Sequence, residues 1–385
     1  MLYKYFSIIR TGLEIELYNF ATIFGMPRKK YEGNNLKEIT TNIVKDRYDG
    51  LAFEAGNRFK QFWIRDFAIF SKEINDLGFH IECRNTLEWA IGRFKHDGHV
   101  STTIYKGGAC DDIFYYAADS LPLLLYAIDQ TDNRDLVNKN LGFFNAEVED
   151  FYNRVFDPER SLAKKDEFFG SPKDAVIRKN TATASIFTAM LKNILHKFPQ
   201  LKNPFKKYDI ASAIIKEFWT GEYFVNDRQD DEAFFASDPN VLAYWTGVIT
   251  NKEMNYSSIK EIKKRKLDSI YPLAYHEKVT DKFMPFFVRL MSPDYQGNSI
   301  WLFLSGLYIN QQLEFKEFRE EAAEQFKKIR KLILKDKTYY EVLEPDGSGP
   351  LKGTLGNHAT DGMVWAAYMP FLEEKLKKMQ LITKE

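Results

Sequence analysis

Apolar residues recur at the three- to four-residue spacing of a helix along nearly the whole chain from about residue 36. This spacing is typical of helices that bury one face. It predicts twelve helices, over residues 36–47, 66–77, 82–96, 117–130, 134–154, 180–196, 208–218, 239–249, 256–267, 297–312, 316–334 and 360–377.

The connections between alternate helices are long and rich in glycine, proline, asparagine and aspartate, as in "LEPDGSGPLKGTLGNHATDG". Such an alternation predicts six helical hairpins arranged in a ring, an all-α (α/α)6 toroid whose inner helices line a funnel. A helical solenoid is the structural alternative, but the chain has no sequence repeat of fixed period. Long loops on a rigid scaffold also favour a functional site.

The first 30 residues have a different pattern. Leu13, Ile15 and Leu17 alternate with acidic residues, which is the two-residue period of a strand. We therefore expect a short β-hairpin over residues 1–30, ahead of a single toroid domain within residues 1–385. Charged residues interrupt the apolar stretch "MLYKYFSIIRTGLEIELYNF", so it lacks the features of a signal peptide or a membrane span.

Composition excludes several classes of function. The 385 residues contain 54 basic and 54 acidic side chains, so no net charge attracts nucleic acid or an anionic membrane. The only cysteines, Cys83 and Cys110, indicate a reducing compartment rather than a disulfide framework. Histidines lack metal-site spacing and no glycine-rich phosphate loop is present. We expect a soluble cytoplasmic protein without metal, cofactor, nucleic-acid or membrane partner.

One charged pair interrupts an apolar run, "FWIRDFAIF". Arg65 and Asp66 lie there between residues that favour a core, and buried charge is costly unless it is paired. One interpretation is a salt bridge at a helix start, with Asp66 near the positive end of the helix dipole. The other is a pocket that uses both charges to bind a ligand.

Three further segments carry candidate chemistry. In "AADSLPLLLYAI", Asp119 stands at the head of an apolar helix, where a carboxylate often serves as a simple N-cap. In "YYEVLEPDGSG", Glu341 and Glu344 lie between tyrosines and a turn. In "YQGNSIWLFLSGLYI", Asn298 and Trp301 lead into a helix.

The order of these segments, followed by "DGMVWAAYM", resembles that of the six-hairpin glycoside hydrolases. The closest patterns are those of the glucosidase domain of glycogen debranching enzymes, the neutral invertases and the processing α-glucosidases. The resemblance implies an (α/α)6 fold, Asp119 as general acid and Glu341 as general base. An aromatic residue more usually follows the base, so Glu344 competes with Glu341. The loop "DEFFGSPKDA", residues 166–175, resembles a substrate loop of the invertase-like members; the alternative is an ordinary loop before a helix.

Hydrolysis of a glycosidic bond needs these two residue types. A carboxylic acid with a raised pKa protonates the leaving oxygen, and in an inverting enzyme a carboxylate about 6.5–9.5 Å away activates water. The aromatic surroundings of Asp119 suit the acid, and Glu341 suits the base. Sugar rings have apolar faces edged by hydroxyls, which predicts a substrate-binding set of Trp63, Arg65, Asp66, Asn298, Trp301, His358 and Trp365.

The sequence therefore predicts an exo-acting, inverting, α-glucosidase-like hydrolase of an α-linked oligosaccharide or glycoside. An inverting glycoside phosphorylase is one alternative, but it replaces the base by bound phosphate, and the carboxylate of Glu341 argues against it. A non-catalytic carbohydrate-binding toroid is another, and it predicts that Asp119 or Glu341 points away from the cleft. Asp111-Asp112 hints at a terpene synthase, but the third carboxylate is missing because position 115 is tyrosine.

Overall fold

The computed structural model describes residues 10, 14–15, 17–18, 28–170, 172–229, 235–277, 286–291, 295–353, 356–357 and 359–383. Fifteen α-helices lie within these residues: α1 (Leu36–Arg47), α2 (Ile64–Ala68), α3 (Ser71–Asp76), α4 (His80–Asp97), α5 (Ser120–Gln130), α6 (Asp135–Lys139), α7 (Leu141–Val155), α8 (Ala182–Leu195), α9 (Ile210–Phe218), α10 (Ser237–Trp245), α11 (Lys252–Lys264), α12 (Phe286–Met291), α13 (Leu302–Gln312), α14 (Arg319–Asp336) and α15 (Tyr368–Lys378). Two 3₁₀ turns, Lys316–Phe318 and Val364–Ala367, precede α14 and α15.

Six inner segments form a closed ring. In order they are α2 with α3, α5, α8, α10, α13, and α15 with the turn before it; each packs on the next, and the last returns to the first. The helices α1, α4, α7, α9, α11 and α14 alternate with them along the chain and form the outer layer. The predicted (α/α)6 toroid of six hairpins is confirmed.

The two layers differ in burial as their sequences predict. Helix α8 of the inner ring buries twelve of its fourteen residues, because neighbours cover it on all sides. Helix α14 of the outer layer buries six of eighteen, at helical spacing on one face. Side-chain oxygens of Asn35, Thr181 and Asn251 cap α1, α8 and α11 by accepting a backbone N–H of the first turn.

Short antiparallel strands hold the connections together. They are β1 (Phe62–Trp63), β2 (Thr103–Ile104) and β3 (Cys110–Asp111) in one sheet, and the pairs β4 (Phe156–Asp157) with β5 (Leu162–Ala163), β6 (Ile300–Trp301) with β7 (Val342–Leu343), and β8 (Lys352–Gly353) with β9 (Gly356–Asn357). Strands β1 and β6 end where α2 and α13 begin, so they hold the beginnings of two inner segments at one end of the ring.

The prediction of helix bounds fails mainly at this end. The predicted helix 297–312 begins only at Leu302, because Ile300 and Trp301 pair with β7 instead. The predicted helices 66–77 and 134–154 each divide in two, into α2 with α3 and α6 with α7. Apolar spacing does not separate a helix from an extended segment that leads into it.

The predicted N-terminal β-hairpin is wrong where the structure describes the chain. Residues 10, 14–15 and 17–18 are helical. The Arg10 Nε atom lies 2.9 Å from Glu14 Oε1, an ion pair at the four-residue spacing of one helical face. The alternation of apolar and acidic residues over so short a stretch therefore does not mark a strand.

Cys83 and Cys110 are both buried, and neither forms a disulfide bond among the described residues. Among the described helices, none combines the length and the apolar character that crossing a bilayer requires.

The inner segment α3 contains a buried carboxyl group, Glu73, whose residue is 8% exposed. Burial raises the pKa of Glu73 to about 7. The pKa of Glu73 is therefore higher in the folded protein than in the unfolded chain. Folding stability is greatest below the ordinary pKa of a glutamate, where Glu73 is protonated in both states, and it falls as the pH rises from that value through about 7.

We expect Glu73→Gln to increase the free energy of unfolding at pH 8 by up to about 3 kcal/mol, and to have little effect at pH 4. Urea unfolding at the two pH values measures the difference. Glu374→Gln, at an exposed carboxylate of α15, is the matched control. An equal gain at both pH values would mean that the charge of Glu73 is not the cause.

Candidate active site

A cavity of about 200 Å³ opens at the end of the ring where the inner segments begin. Three carboxyl residues line it, namely Asp66, Asp174 and Glu341. The aromatic residues of its wall are Phe59, Trp63, Phe114, Tyr295, Trp301, Phe303 and Trp365. The cavity therefore combines acidic groups with aromatic faces.

The structure brings most of the predicted site residues to this cavity. The predicted residues that line it are Trp63, Arg65, Asp66, Trp301, Glu341 and Trp365. Asn298 is half-buried but is not part of the lining. His358 lies outside the described residues. Glu344 also lies away from the lining, in a turn where its Oε1 accepts a hydrogen bond from the Lys352 N–H at 2.8 Å.

Arg65 links two connections of the ring. Its Nε donates to Asp119 Oδ2 at 2.5 Å, and its Nη1 donates to Asp174 Oδ2 at 2.8 Å. Asp66 does lie in the first turn of α2, but the ion pairs of Arg65 are with Asp119 and Asp174 rather than with Asp66. Asp119 is the N-cap residue of α5, but its side chain makes no capping hydrogen bond and contacts Arg65 instead.

Asp119 is completely buried and does not line the cavity. Burial raises the pKa of Asp119, and the adjacent Arg65 guanidinium opposes that increase. The contact with Arg65 suits a residue that orients the guanidinium. The acid role of Asp119 stays a prediction, and Asp174 is the carboxyl residue that Arg65 holds at the cavity itself.

The position of each carboxyl group in the ring sets which groups face one another. Asp174 lies in the connection before α8, the third inner segment, and Glu341 lies in the connection before the sixth. These are opposite positions in a ring of six. Asp66 belongs to the first segment, which packs beside the sixth, so it lies on the Glu341 side.

Two consecutive residues before α13 hold the two facing carboxyl groups. Tyr295 Oη donates to Glu341 Oε1 at 2.5 Å, and Gln296 Nε2 donates to Asp174 Oδ1 at 3.2 Å. The other oxygen of Glu341 accepts the Thr360 N–H at 3.2 Å. Because Tyr295 and Gln296 are adjacent in the chain, one short segment contacts both carboxyl groups.

The electrostatics of the three carboxyl groups are coupled. Burial raises the pKa of Glu341 to about 7, while hydrogen bonding to Tyr295 opposes it. Burial and the charge of Glu341 raise the pKa of Asp66 to about 8. Burial also raises the pKa of Asp174, against the nearby Arg65 guanidinium. At neutral pH the cluster therefore retains a proton, as acid–base chemistry requires.

A buried ion pair anchors the segment that carries Asp174. The ammonium group of Lys173 lies 2.8 Å from Asp238 Oδ1, at the start of α10, and 3.3 Å from His276 Nε2. All three side chains are almost fully buried. Removing one partner of a buried pair is strongly destabilising, so this anchor holds the backbone of Asp174 firmly.

Sequence reasoning missed Asp174, Tyr295 and Gln296. Asp174 lies in the 166–175 loop, whose two interpretations the sequence leaves open, and its residues 172, 174 and 175 line the cavity. Tyr295 and Gln296 are the first residues of the segment from which Asn298 and Trp301 are predicted as site residues. In "SPKDA" the charged residues Lys173 and Asp174 follow Pro172, and no local pattern distinguishes Asp174 as a residue of the cavity.

Comparison with known proteins identifies the fold. A rhamnosidase from Klebsiella oxytoca with rhamnose bound superposes with a TM-score of 0.61 and 14% identity, over 90% of this chain and 65% of the other. The chain thus spans less than two thirds of that rhamnosidase. A glycosidase variant in complex with glucose superposes with a TM-score of 0.65 and 12% identity, over 90% of this chain and 97% of the other.

The GH63 mannosylglycerate hydrolase from Thermus thermophilus, in complex with Tris and D-glycerate, gives a TM-score of 0.59 and 12% identity, over 88% and 100% of the two chains. No family model matches the sequence, and no curated protein matches it. At these identities the comparisons establish the six-hairpin fold that this chain has in common with glycosidases.

Proposed function

We propose that the protein is a glycoside hydrolase in which Asp174 is the general acid and Glu341 the general base. The observation that carries the proposal is the pair of carboxyl groups facing one cavity from opposite hairpins. The fold it has in common with glycosidases supports the same reaction class. The proposed base, Glu341, is the residue that the sequence predicts. The proposed acid is Asp174 in place of the predicted Asp119.

The proposed reaction needs no further group. Asp174 gives its proton to the glycosidic oxygen as the bond from that oxygen to the anomeric carbon breaks. Glu341 takes a proton from water as the water oxygen bonds to the anomeric carbon from the opposite face. Tyr295 and the Thr360 N–H orient the Glu341 carboxylate toward that water.

The cavity suits a single sugar ring. Its volume of about 200 Å³ lies below the roughly 300–1,000 Å³ of pockets for drug-sized ligands. Trp63 and Trp365 supply aromatic faces, while Arg65 and Asp66 supply partners for hydroxyls. We therefore propose exo-acting removal of a terminal sugar, with an α-glucoside as first candidate from the sequence resemblance.

The two alternatives make different demands. A phosphorylase needs phosphate where Glu341 lies, and the carboxylate of Glu341 disfavours an anion there. A non-catalytic toroid requires one carboxyl group to point away, and Asp119 does lie outside the cavity. Asp174 nevertheless supplies a second carboxyl group at the cavity, which favours a catalytic site.

The stereochemistry of the product tests the mechanism. Aryl α-glucosides, maltooligosaccharides, sucrose and trehalose, together with rhamnosides and mannosides, are first screened for hydrolysis. Proton NMR during the first minutes then identifies the initial anomer. We expect an α-linked substrate to release the β-anomer first, because water attacks opposite the leaving group.

Initial release of the α-anomer would overturn the inverting mechanism and require a covalent intermediate. Absence of hydrolysis, together with measurable sugar binding by calorimetry, would favour the non-catalytic toroid. Turnover that depends on inorganic phosphate would favour a phosphorylase.

A further inference from the structure

We propose that Phe114 forms a stacking platform for the leaving group, so that the preferred substrate carries a flat, uncharged ring beyond the bond that is cleaved. The inference rests on the proposed glycosidase function and concerns the other half of the substrate. The ring is either a second sugar or an aryl group, since both present an apolar face.

Phe114 has an unfavourable conformation. Its φ is 65°, in the left-handed region that bulky residues rarely adopt. The Tyr115 N–H donates to the Ile113 carbonyl at 2.9 Å, which makes Phe114 the central residue of a rare, strained γ-turn. Strain of this kind persists where surrounding structure imposes it, and it concentrates at ligand sites.

The side chain of Phe114 is also unusually exposed. Its residue is 51% exposed, whereas the other aromatic residues that line the cavity are buried or half-buried. Phe114 therefore lies at the mouth. Tyr115 and Phe168 pack ring to ring with centroids 5.1 Å apart, which supports the turn from the neighbouring loop.

Phe114 lies on the side of the general acid. The Gly170 N–H donates to the Tyr116 carbonyl at 2.8 Å, and the Ala118 N–H donates to the Gly170 carbonyl at 3.3 Å. A Cβ atom on Gly170 would lie 3.1 Å from the Tyr115 carbonyl oxygen, so the two loops approach each other closely at this glycine. Gly170 is four residues before Asp174.

These contacts join the strained turn to the loop that supplies the proton. A general acid must reach the leaving-group oxygen, so the leaving group occupies the space next to Asp174 and beside Phe114. An uncharged aromatic face there stabilises a flat ring by stacking and dispersion. Burial of Phe114 by such a ring also removes apolar surface from water.

Substrates with one glycone and different leaving groups test the proposal. We expect Phe114→Ala to lower kcat/KM about tenfold for a disaccharide, a 4-nitrophenyl glycoside, or both. The glycosyl fluoride, whose leaving group carries no ring, should keep its kcat/KM. The two ring substrates show whether a sugar or an aryl group is preferred. Phe371→Ala, at an exposed aromatic residue outside the cavity, is the control and should change none of these values.

Two further measurements keep the test independent of folding and of turnover. Phe114→Gly should leave the thermal unfolding temperature unchanged or higher, because it removes both the strain and the exposed ring. In calorimetry, Phe114→Ala should weaken disaccharide binding about tenfold without weakening monosaccharide binding.

Equal losses for the fluoride and the ring substrates would overturn the proposal, since Phe114 would then act on the glycone or on Asp174. Retention of every kcat/KM value would overturn it too, as would a lower unfolding temperature for Phe114→Gly. If the wild type hydrolyses nothing, the proposed function fails, and calorimetry alone decides the role of Phe114.

Discussion

Replacement of Asp174 by Asn is expected to lower the hydrolysis of an unactivated disaccharide by about 10²–10⁴-fold, the usual contribution of a general acid. The amide has nearly the shape of the carboxyl group, but its single oxygen can accept a hydrogen bond from either Arg65 or Gln296 and not from both. The ion pair of Arg65 with Asp119 remains, so the fold should persist. The rate of hydrolysis of a glycosyl fluoride should fall far less, because fluoride leaves without being protonated. Rates on the two substrates measure this dependence on the leaving group.

Asp119→Asn is the discriminating control. Asp119 is paired with Arg65, so its loss disturbs a buried ion pair and should lower both stability and activity. A residue that orients Arg65 affects good and poor leaving groups alike. If instead the leaving-group dependence appears in Asp119→Asn and not in Asp174→Asn, the acid is Asp119, as the sequence resemblance implies.

Replacement of Glu341 by Gln should abolish hydrolysis of every substrate, with a loss of about 10²–10⁴-fold or more that includes the glycosyl fluoride. Water still has to be activated when the leaving group is good, so the rate of hydrolysis should fall for every substrate. Azide is a nucleophile that needs no deprotonation. We therefore expect added azide to restore turnover of the α-fluoride and to give a β-glycosyl azide, detectable by NMR.

Glu344→Gln is the matched variant, three residues further along the same segment. Its carboxylate accepts a hydrogen bond in a turn outside the cavity lining, and we expect nearly full activity. Equal loss in both variants, or rescue by azide in Glu344→Gln only, would transfer the base to Glu344.

The sequence predicts the architecture well because one physical rule governs it. Helices with apolar residues all round, such as α8, have to be covered on every side, and a ring with an outer layer provides that cover. Residues that lead into inner segments, such as Trp63, Trp301 and Glu341, keep short recognisable patterns. These patterns predict six of the residues that line the cavity.

The proposed acid, Asp174, has no distinctive pattern in the sequence because its surroundings depend on distant partners. An aspartate at the head of an apolar helix has the same local pattern whether it faces a cavity or a buried arginine, as Asp119 does. The position of the Asp174 carboxyl group at the cavity depends on contacts with Arg65 and Gln296, which are remote in sequence. Period and spacing carry no information about such contacts.

Closure of the ring has a consequence for synthesis of the protein. Asp66 and Glu341 lie on neighbouring segments of the ring, yet they are 275 residues apart in the chain (341 − 66). At about 5–20 residues per second, a ribosome takes roughly 15–55 s to add that length. During this interval the apolar faces of the early inner helices lack their final partners. Until the sixth hairpin docks, this exposed apolar surface favours aggregation, and the cavity lacks Glu341.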